Sequence, residues 1–355
     1  MTSSDNIFQR YAGCLLAGAV GDALGGAVEF LSSAEIDKKF GERGITDYTE
    51  SYGGIGKITD DTQMTLFTAE GLIRAYIRQN EKGICDISSV VSHAYQRWLT
   101  TQRRNNSNLN VSMDGWLSSQ DALFAQRAPG NTCLTALETM SHFGEFAVND
   151  SKGCGGIMRV APVALASTWY QTEQPALWAF ETAMELCALT HGHPTGQLAG
   201  GFFAAFLTLL LNGESKAKAL EKSTLLLQQY DRHQEVLLAV LNAAKLADQT
   251  PGSRNALPQL GEGWVAEEAL AISLYCALST EDTEEAIILA VNHSGDSDST
   301  GSITGNIMGL LNGADSIPSR WMEELELREV IKTMATDMID LPRCYHNMWD
   351  KYPGH

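Results

Sequence analysis

Basic residues are scarce in this 355-residue chain: 25 Lys and Arg stand against 43 Asp and Glu, a formal charge of −18. Such a surface repels phosphate backbones and anionic lipid head groups, so nucleic acid and membrane are excluded as expected partners. Any anionic ligand must then be held locally, by backbone N–H groups, a metal ion or a few side chains. Cysteine pairs are also lacking. The seven cysteines, Cys14, Cys85, Cys133, Cys154, Cys187, Cys276 and Cys344, contain no C-x-x-C spacing. An odd count in a chain this long argues against a disulfide framework and for a reducing, cytoplasmic compartment. Long apolar runs are missing too. The run that follows Cys14 is ended by Asp22, the wrong order for a leader peptide, and Leu198 to Leu211 is 14 residues, short of the roughly 18 that cross a bilayer. That stretch reads as a buried core helix. Aromatics supply only 8%, yet hydrophobic residues make up 44%, enough for a large core and enough to exclude intrinsic disorder. Nine prolines face 32 glycines, more glycine than tight turns need, which points to close helix packing or to loops wrapped around a ligand.

What is present is helical periodicity. Leu66, Ala69, Ile73, Tyr76 and Ile77 share one face of a segment that begins at Asp61. Similar patterns run through 86–100, 160–168, 176–190, 197–212, 216–230, 234–247, 265–279, 283–292 and 301–312, and convincing alternating strands are absent. Ser279 to Asp282 and Thr172-Glu173 precede apolar runs as capping residues do, and Gly213 follows one as a stop. No low-complexity linker divides the sequence. The expectation is an all-α fold, a single compact many-helix domain over 1–355. Its least helical parts are 44–60 and 101–156, and loops of that length inside a compact domain are candidates for a site wall.

Four constellations carry chemistry. Thr59-Asp60-Asp61-Thr62 sets adjacent carboxylates between hydroxyls at a helix start, where simple capping is one reading. Gly295-Asp296-Ser297-Asp298-Ser299-Thr300-Gly301 also precedes a helix, and an extended conformation would point Asp296 and Asp298 the same way. Capping is again open, but two carboxylates this close repel unless a cation lies between them. Taken together, hard oxygen ligands with no matching Cys or His set suit Mg²⁺, Mn²⁺ or Ca²⁺ and not zinc. Lys152-Gly153-Cys154-Gly155-Gly156-Ile157-Met158-Arg159 is a glycine-rich turn that can present N–H groups to a phosphate. With nothing nearby to activate it, Cys154 reads as a small lining residue and not a nucleophile. Thr190-His191-Gly192-His193 reads as a helix end, where His is favoured by the C-terminal dipole, more readily than as a metal pair.

These motifs, with Gly21-Asp22-Ala23-Leu24-Gly25-Gly26-Ala27-Val28-Glu29-Phe30 before them, occur in an order that resembles the ADP-ribosylglycohydrolases, over about residues 10 to 312. The resemblance implies an all-α fold with a dinuclear metal cleft holding two Mg²⁺ or Mn²⁺, and removal of ADP-ribose from modified side chains or small molecules. It further implies Thr59, Asp60 and Asp61 as one ligand group, and Asp296, Asp298 and Ser299 as the other. Ser299 stands where some members carry Thr, with Thr300 as the alternative. Glu29 resembles the acid that lies beside the metals in some members. Gly153, Cys154, Gly155 and Gly156 resemble the loop that meets ADP-ribose, Cys154 replacing a common Asn. His191 resembles a pocket-lining residue, and Gly130 and Asn131 a diphosphate-contacting loop. The implied chemistry activates a water, with Asp60 or Asp61 taking its proton and Glu29 positioning substrate or leaving group. An ADP-ribosylated protein, modified on arginine, is the expected substrate; ADP-ribosylserine or a small ADP-ribose conjugate is the alternative. A different class is an immunity protein that neutralises an ADP-ribosyltransferase toxin by hydrolysis or by inserting a loop from 101–131, suggested by Arg103-Arg104 and the asparagines after them. A scaffold that has lost catalysis is disfavoured by the complete acidic set.

Overall fold

The computed structural model describes residues 3–170 and 172–354. Its elements in chain order begin with α1 (Ser3–Gly25), α2 (Ser33–Phe40), α3 (Asp60–Lys82), α4 (Ile87–Thr101), α5 (Asn131–Thr139), α6 (Ala161–Ala166) and α7 (Pro175–Ala188). They continue with α8 (Pro194–Leu211), α9 (Lys216–Leu227), α10 (Gln234–Gln249), α11 (Ala266–Ser279), α12 (Thr283–Val291), α13 (Ser297–Asn312), α14 (Ser319–Glu324) and α15 (Arg328–Cys344). The described residues hold two isolated β-bridges, Ser51 with Gly54 and Gly153 with Val265, and no sheet. The all-α expectation is met, and each periodic segment falls on a helix.

Local chemistry sets the ends. Thr59 caps α3 by accepting from the Asp61 N–H, and Gly83 ends that helix in the left-handed region. Asp282 caps α12 through the Glu285 N–H. Thr172 does not cap α7: Gln174 holds that position without a side-chain bond, because the Pro175 that follows starts the helix directly. Helices α1, α2 and α5 and the terminal pair α14 and α15 lie in segments without a sequence-level assignment. The 14-residue apolar run proves to be part of an 18-residue helix, α8, long and apolar enough in composition to span a membrane, but 83% buried in the protein. Burial, not length, marks it as a core helix.

The centre is a pair of antiparallel helices, α1 and α13, in backbone contact. A Cβ on Gly305 would sit 2.0 Å from the Ala17 carbonyl oxygen, on Gly309 2.0 Å from that of Gly13, and on Gly21 2.0 Å from that of Gly301. Glycines four apart on α13 form a flat stripe, and that stripe lets the two axes approach closely. The same contact carries Gly25, at the C-terminus of α1, onto Ser297 and Asp298 at the N-terminus of α13. Helices α3, α8 and α11 surround this pair and are themselves buried on most faces.

An acid-lined cleft at two helix N-termini

The N-termini of α3 and α13 meet beneath one cleft, and Asp22 at the end of α1 ties the first of them down. Asp22 is fully buried. Its two oxygens accept from the Thr59 N–H at 3.0 and 3.1 Å, from the Thr59 hydroxyl at 2.7 Å and from the Thr62 N–H at 3.0 Å, and the Thr62 hydroxyl donates as well. One carboxylate therefore fixes the whole Thr59–Thr62 turn. The loop after Arg127 is joined to it: the Gly130 N–H donates to Asp60 at 3.2 Å, and the Arg127 guanidinium bonds the Ile58 carbonyl at 2.8 Å and pairs with Glu326.

The second acidic group is helical and not extended. Asp296 caps α13, Asp298 is the second helical residue, and both carboxylates accept from the Ser299 N–H, at 3.3 and 2.9 Å. Gly295 makes the sharp entry possible, with φ +112° and a would-be Cβ 2.0 Å from the Glu262 carbonyl oxygen; that oxygen accepts the Asp296 N–H at 2.8 Å. The hydroxyl of Thr300 is taken by the carbonyls of Ala290 and Asp296 and by His293, so the alternative ligand is closed off. Ser299, in contrast, lines the cavity.

The capping explanation covers Thr59 and Asp296 and leaves the rest unexplained. Asp61 Oδ1 and Glu29 Oε2 are buried with no hydrogen-bond partner. Burial, followed by the nearby Asp298, pushes Asp60 and Asp61 well above the usual carboxylate range. The same causes in the same order push Glu29 up to about 11 and Asp22 to about 7, the latter against its hydroxyl and amide donors. Asp298 is itself raised by burial and by Asp296. Six buried acids, Asp22, Glu29, Asp60, Asp61, Asp296 and Asp298, that cannot all ionise unaided are a standing negative site. Two helix dipoles offset part of that charge; a cation between the carboxylates would offset more. The donor set of carboxylates and hydroxyls fits hard divalent cations. Among the described residues no three His, Cys, Asp or Glu side chains form a ready-made metal cage, so closing the ligand set requires side-chain rotation.

The cavity above these acids measures about 480 Å³ and opens to solvent. Every site residue expected from sequence lines it except Thr59 and Gly156. Thr59 stands behind the lining, fully buried and bonded to Asp22. Gly156 packs under the turn, where a Cβ would meet Cys187 Sγ at 3.1 Å. The far wall carries Gly130 and Asn131, which begin α5, so the first turn of α5, with N–H groups that no side chain caps, stands at the cavity where an anion can be held. The glycine turn contributes fewer N–H groups than its composition implies. Cys154 N–H is spent on the Trp264 carbonyl at 3.2 Å, and Gly153 N–H on the Ser151 hydroxyl. His191 is buried, and desolvation followed by the Arg159 charge lowers it to about 3, so it is neutral and not a dipole-stabilised cation. Arg159 donates to the Thr190 hydroxyl at 2.6 Å, and that hydroxyl meets His191 Nδ1 at 2.8 Å. With Arg159 donating to it, the Thr190 hydroxyl can give its own proton to Nδ1, an arrangement that puts the ring proton on Nε2, the nitrogen beside Gly153 on the cavity wall.

Sequence reasoning missed three features here. Asp22 stands in the sequence as the charge that ends an apolar run and as part of the Gly21–Phe30 motif, but its role needs the fold. Phe30 and Trp264 stack at 5.9 Å on the rim, both exposed; Phe30 closes the Gly21–Phe30 motif, but Trp264 lies in no motif and nothing in the sequence pairs the two.

An all-α cleft with two facing acidic groups and an uncapped helix N-terminus defines a class, that of enzymes acting on an anionic, hydroxyl-rich substrate. The chain belongs to the ADP-ribosylglycohydrolase family, whose model matches residues 3–347, and it is an ADP-ribose-removing glycosidic-bond hydrolase. It is 26% identical to the ADP-ribosyl-[dinitrogen reductase] glycohydrolase of Rhodospirillum rubrum, over 91% of this chain and 92% of that protein. It is also 26% identical to the ADP-ribosylarginine hydrolase Tri1 of Serratia proteamaculans, over 92% of this chain and 78% of that one. Among solved structures it resembles an ADP-ribosylglycohydrolase-related protein complex with a TM-score of 0.69 and 26% identity, covering 95% of this chain and 99% of the other.

Proposed function

We propose that the protein removes ADP-ribose from arginine side chains of modified proteins, in a reaction that depends on two Mg²⁺ or Mn²⁺ ions. The observation that carries this reading is the pair of unsatisfied buried carboxylate oxygens, Asp61 Oδ1 and Glu29 Oε2, beneath a cavity whose other wall offers neutral N–H donors. The arginine linkage draws support from the relative named as an ADP-ribosylarginine hydrolase. Asp60, Asp61, Asp296 and Asp298, with the hydroxyl of Ser299, are the residues that would hold the ions; the Thr59 hydroxyl joins them only by giving up its bond to Asp22. Such ions, when bound, polarise ribose hydroxyls and a water. The chain supplies the rest. Asp60 or Asp61 takes the proton of the attacking water, and Glu29, which lines the cavity beside both acidic groups, orients the leaving side. The α5 N-terminus and His191 Nε2–H hold the diphosphate away from the acids. Seven unpaired thiols fit a cytoplasmic setting.

A blocking role for 101–131 has little support in how that stretch is held. Asn106 is buried and its amide donates to the Leu137 and Met140 carbonyls at 2.8 and 2.7 Å, and Arg104 pairs with Glu138. The segment is pinned to the body and does not protrude as a free arm. Incubation with arginine- and serine-ADP-ribosylated proteins, with Mg²⁺, Mn²⁺ or chelator, tests the reading. Release is expected from arginine, abolished by chelator and reduced at least ~100-fold in Asp60→Asn and Asp298→Asn. Full activity in chelator, or near-normal turnover in both variants, would return the acids to capping. Release from serine alone would move the substrate and leave the chemistry standing.

A further inference from the structure

The cleft contains one soft donor among its hard ones. Cys154 lines the cavity, and its thiol donates to Asp296 Oδ2 at 2.7 Å. Asp61 and Ser299 are its other polar neighbours. Asp61 is only 2% exposed, lines the same cavity and has an oxygen, Oδ1, without any partner. The backbone fixes the thiol in place, since Cys154 N–H is held by the Trp264 carbonyl while the Asp296 N–H is held by Glu262, two residues earlier in the same loop. Cys154 and Asp296 are thus braced by one segment.

We propose that Cys154, Asp296 and Asp61 form a binding site for a thiophilic divalent cation such as Cd²⁺ or Zn²⁺, and that filling it denies Asp296 and Asp61 to the hard cation. Binding replaces the S–H bond with an S–metal bond, and the proton leaves to water, since Asp296 must stay ionised to hold the ion. Ligand softness decides the competition: thiolate favours Cd²⁺ and Zn²⁺ strongly and offers Mg²⁺ almost nothing. The set is not preassembled, because the thiol proton occupies the Asp296 oxygen and Asp61 must turn toward the sulfur. A metal-free protein therefore shows a thiol–carboxylate hydrogen bond where the loaded one would have a shared ion.

The test is a titration of the full chain with Cd²⁺, read as the ultraviolet thiolate-to-cadmium charge-transfer band. One equivalent is expected to develop the band. Cys154→Ser should remove it, Asp61→Asn should weaken cadmium affinity at least ~10-fold, and Cys85→Ser, at a half-exposed cysteine outside the cleft, should change nothing. Far-ultraviolet circular dichroism checks that each variant is folded, and Cys154→Asn serves as a second variant if Cys154→Ser is not. A band that persists in both Cys154 variants, or an affinity indifferent to Asp61→Asn, overturns the proposal. A second arm rests on the hydrolase reading: Cd²⁺ should inhibit Mg²⁺-supported release, with inhibition shifted at least ~10-fold in Cys154→Asn. A band without any hydrolysis to inhibit would sink the hydrolase reading and leave the cation site standing. Equal inhibition of both proteins would sink the claim that this site excludes the hard cation.

Discussion

At the scale of single residues, what distinguishes this cleft is the number of ionisable groups held in the form they do not prefer in water. His191 is the clearest case with a stability consequence. Its folded form, lowered to about 3 by burial and by Arg159, refuses a proton that the unfolded chain accepts near 6.5. The favourable contribution is therefore complete above pH about 6.5 and is lost as pH falls toward 3, at up to roughly 1.4 kcal/mol per unit. Between pH 7 and 5 the loss is about 2 kcal/mol from this one ring. Urea unfolding at those two pH values should show it, and His191→Gln, which can still accept from Thr190 and donate to a ligand, should flatten the difference while lowering stability at pH 7. An unchanged pH slope in the variant would mean that another group controls acid sensitivity. Legibility was high at this scale. The motif order placed twelve of the fourteen expected residues on one cavity, since oxygen donors at helix starts have a spacing that survives translation into space. Asp22, Phe30 and Trp264 were not legible because their roles arise from contacts across the fold.

Among the elements, the α1 and α13 pair matters most, because it sets where Asp22 and Asp298 stand. Gly301, Gly305 and Gly309 repeat every four residues, and Gly13, Ala17 and Gly21 oppose them in reverse order. Gly305→Val would drive a branched side chain into the Ala17 carbonyl at 2.0 Å, and backbone cannot step aside as a side chain tip can. The expected cost is about 1–3 kcal/mol or more, measurable as a lower denaturant midpoint. Because the helices must part, divalent-cation affinity should fall with it even though residue 305 lies two turns from Asp298. A destabilised variant with normal cation affinity would show that the acidic ends are positioned by their own hydrogen bonds and not by the helix pair. The excess of glycine announces close packing, but composition cannot say which helices meet. The same gap left the conformation of Asp296 to Asp298 open: one residue separates the carboxylates whether the segment is extended or helical, and only the Ser299 N–H bonds show that the helix has already begun. Helix α1 went unassigned because it is apolar on nearly every face, and a helix buried all round loses the periodicity that identifies one.

For the whole molecule, a formal charge of −18 and six buried acids at one cleft pose the same problem at two distances. Ordinary salt screens the outer charges over about a Debye length, roughly 8 Å at physiological ionic strength, and reaches buried pairs poorly. A divalent ion bound among Asp60, Asp61 and Asp298 acts where salt does not, so the two effects separate cleanly in thermal unfolding. Mg²⁺ should raise the melting temperature beyond the shift given by NaCl at matched ionic strength. At a hundred times the dissociation constant the added stability is about 2.7 kcal/mol for each ion that binds only the folded state. Asp298→Asn should already be more stable than the parent without metal, since it removes the charge that raises Glu29, Asp60 and Asp61 together. It should then lose most of the Mg²⁺-specific increment. This pair of outcomes is hard to produce by any route other than a cation site: a merely capping Asp298 would make the variant less stable, and non-specific screening would give NaCl and Mg²⁺ the same effect at equal ionic strength. Equal melting shifts for parent and variant under Mg²⁺ would therefore remove the cation from this cleft and leave its acids without a counter-charge.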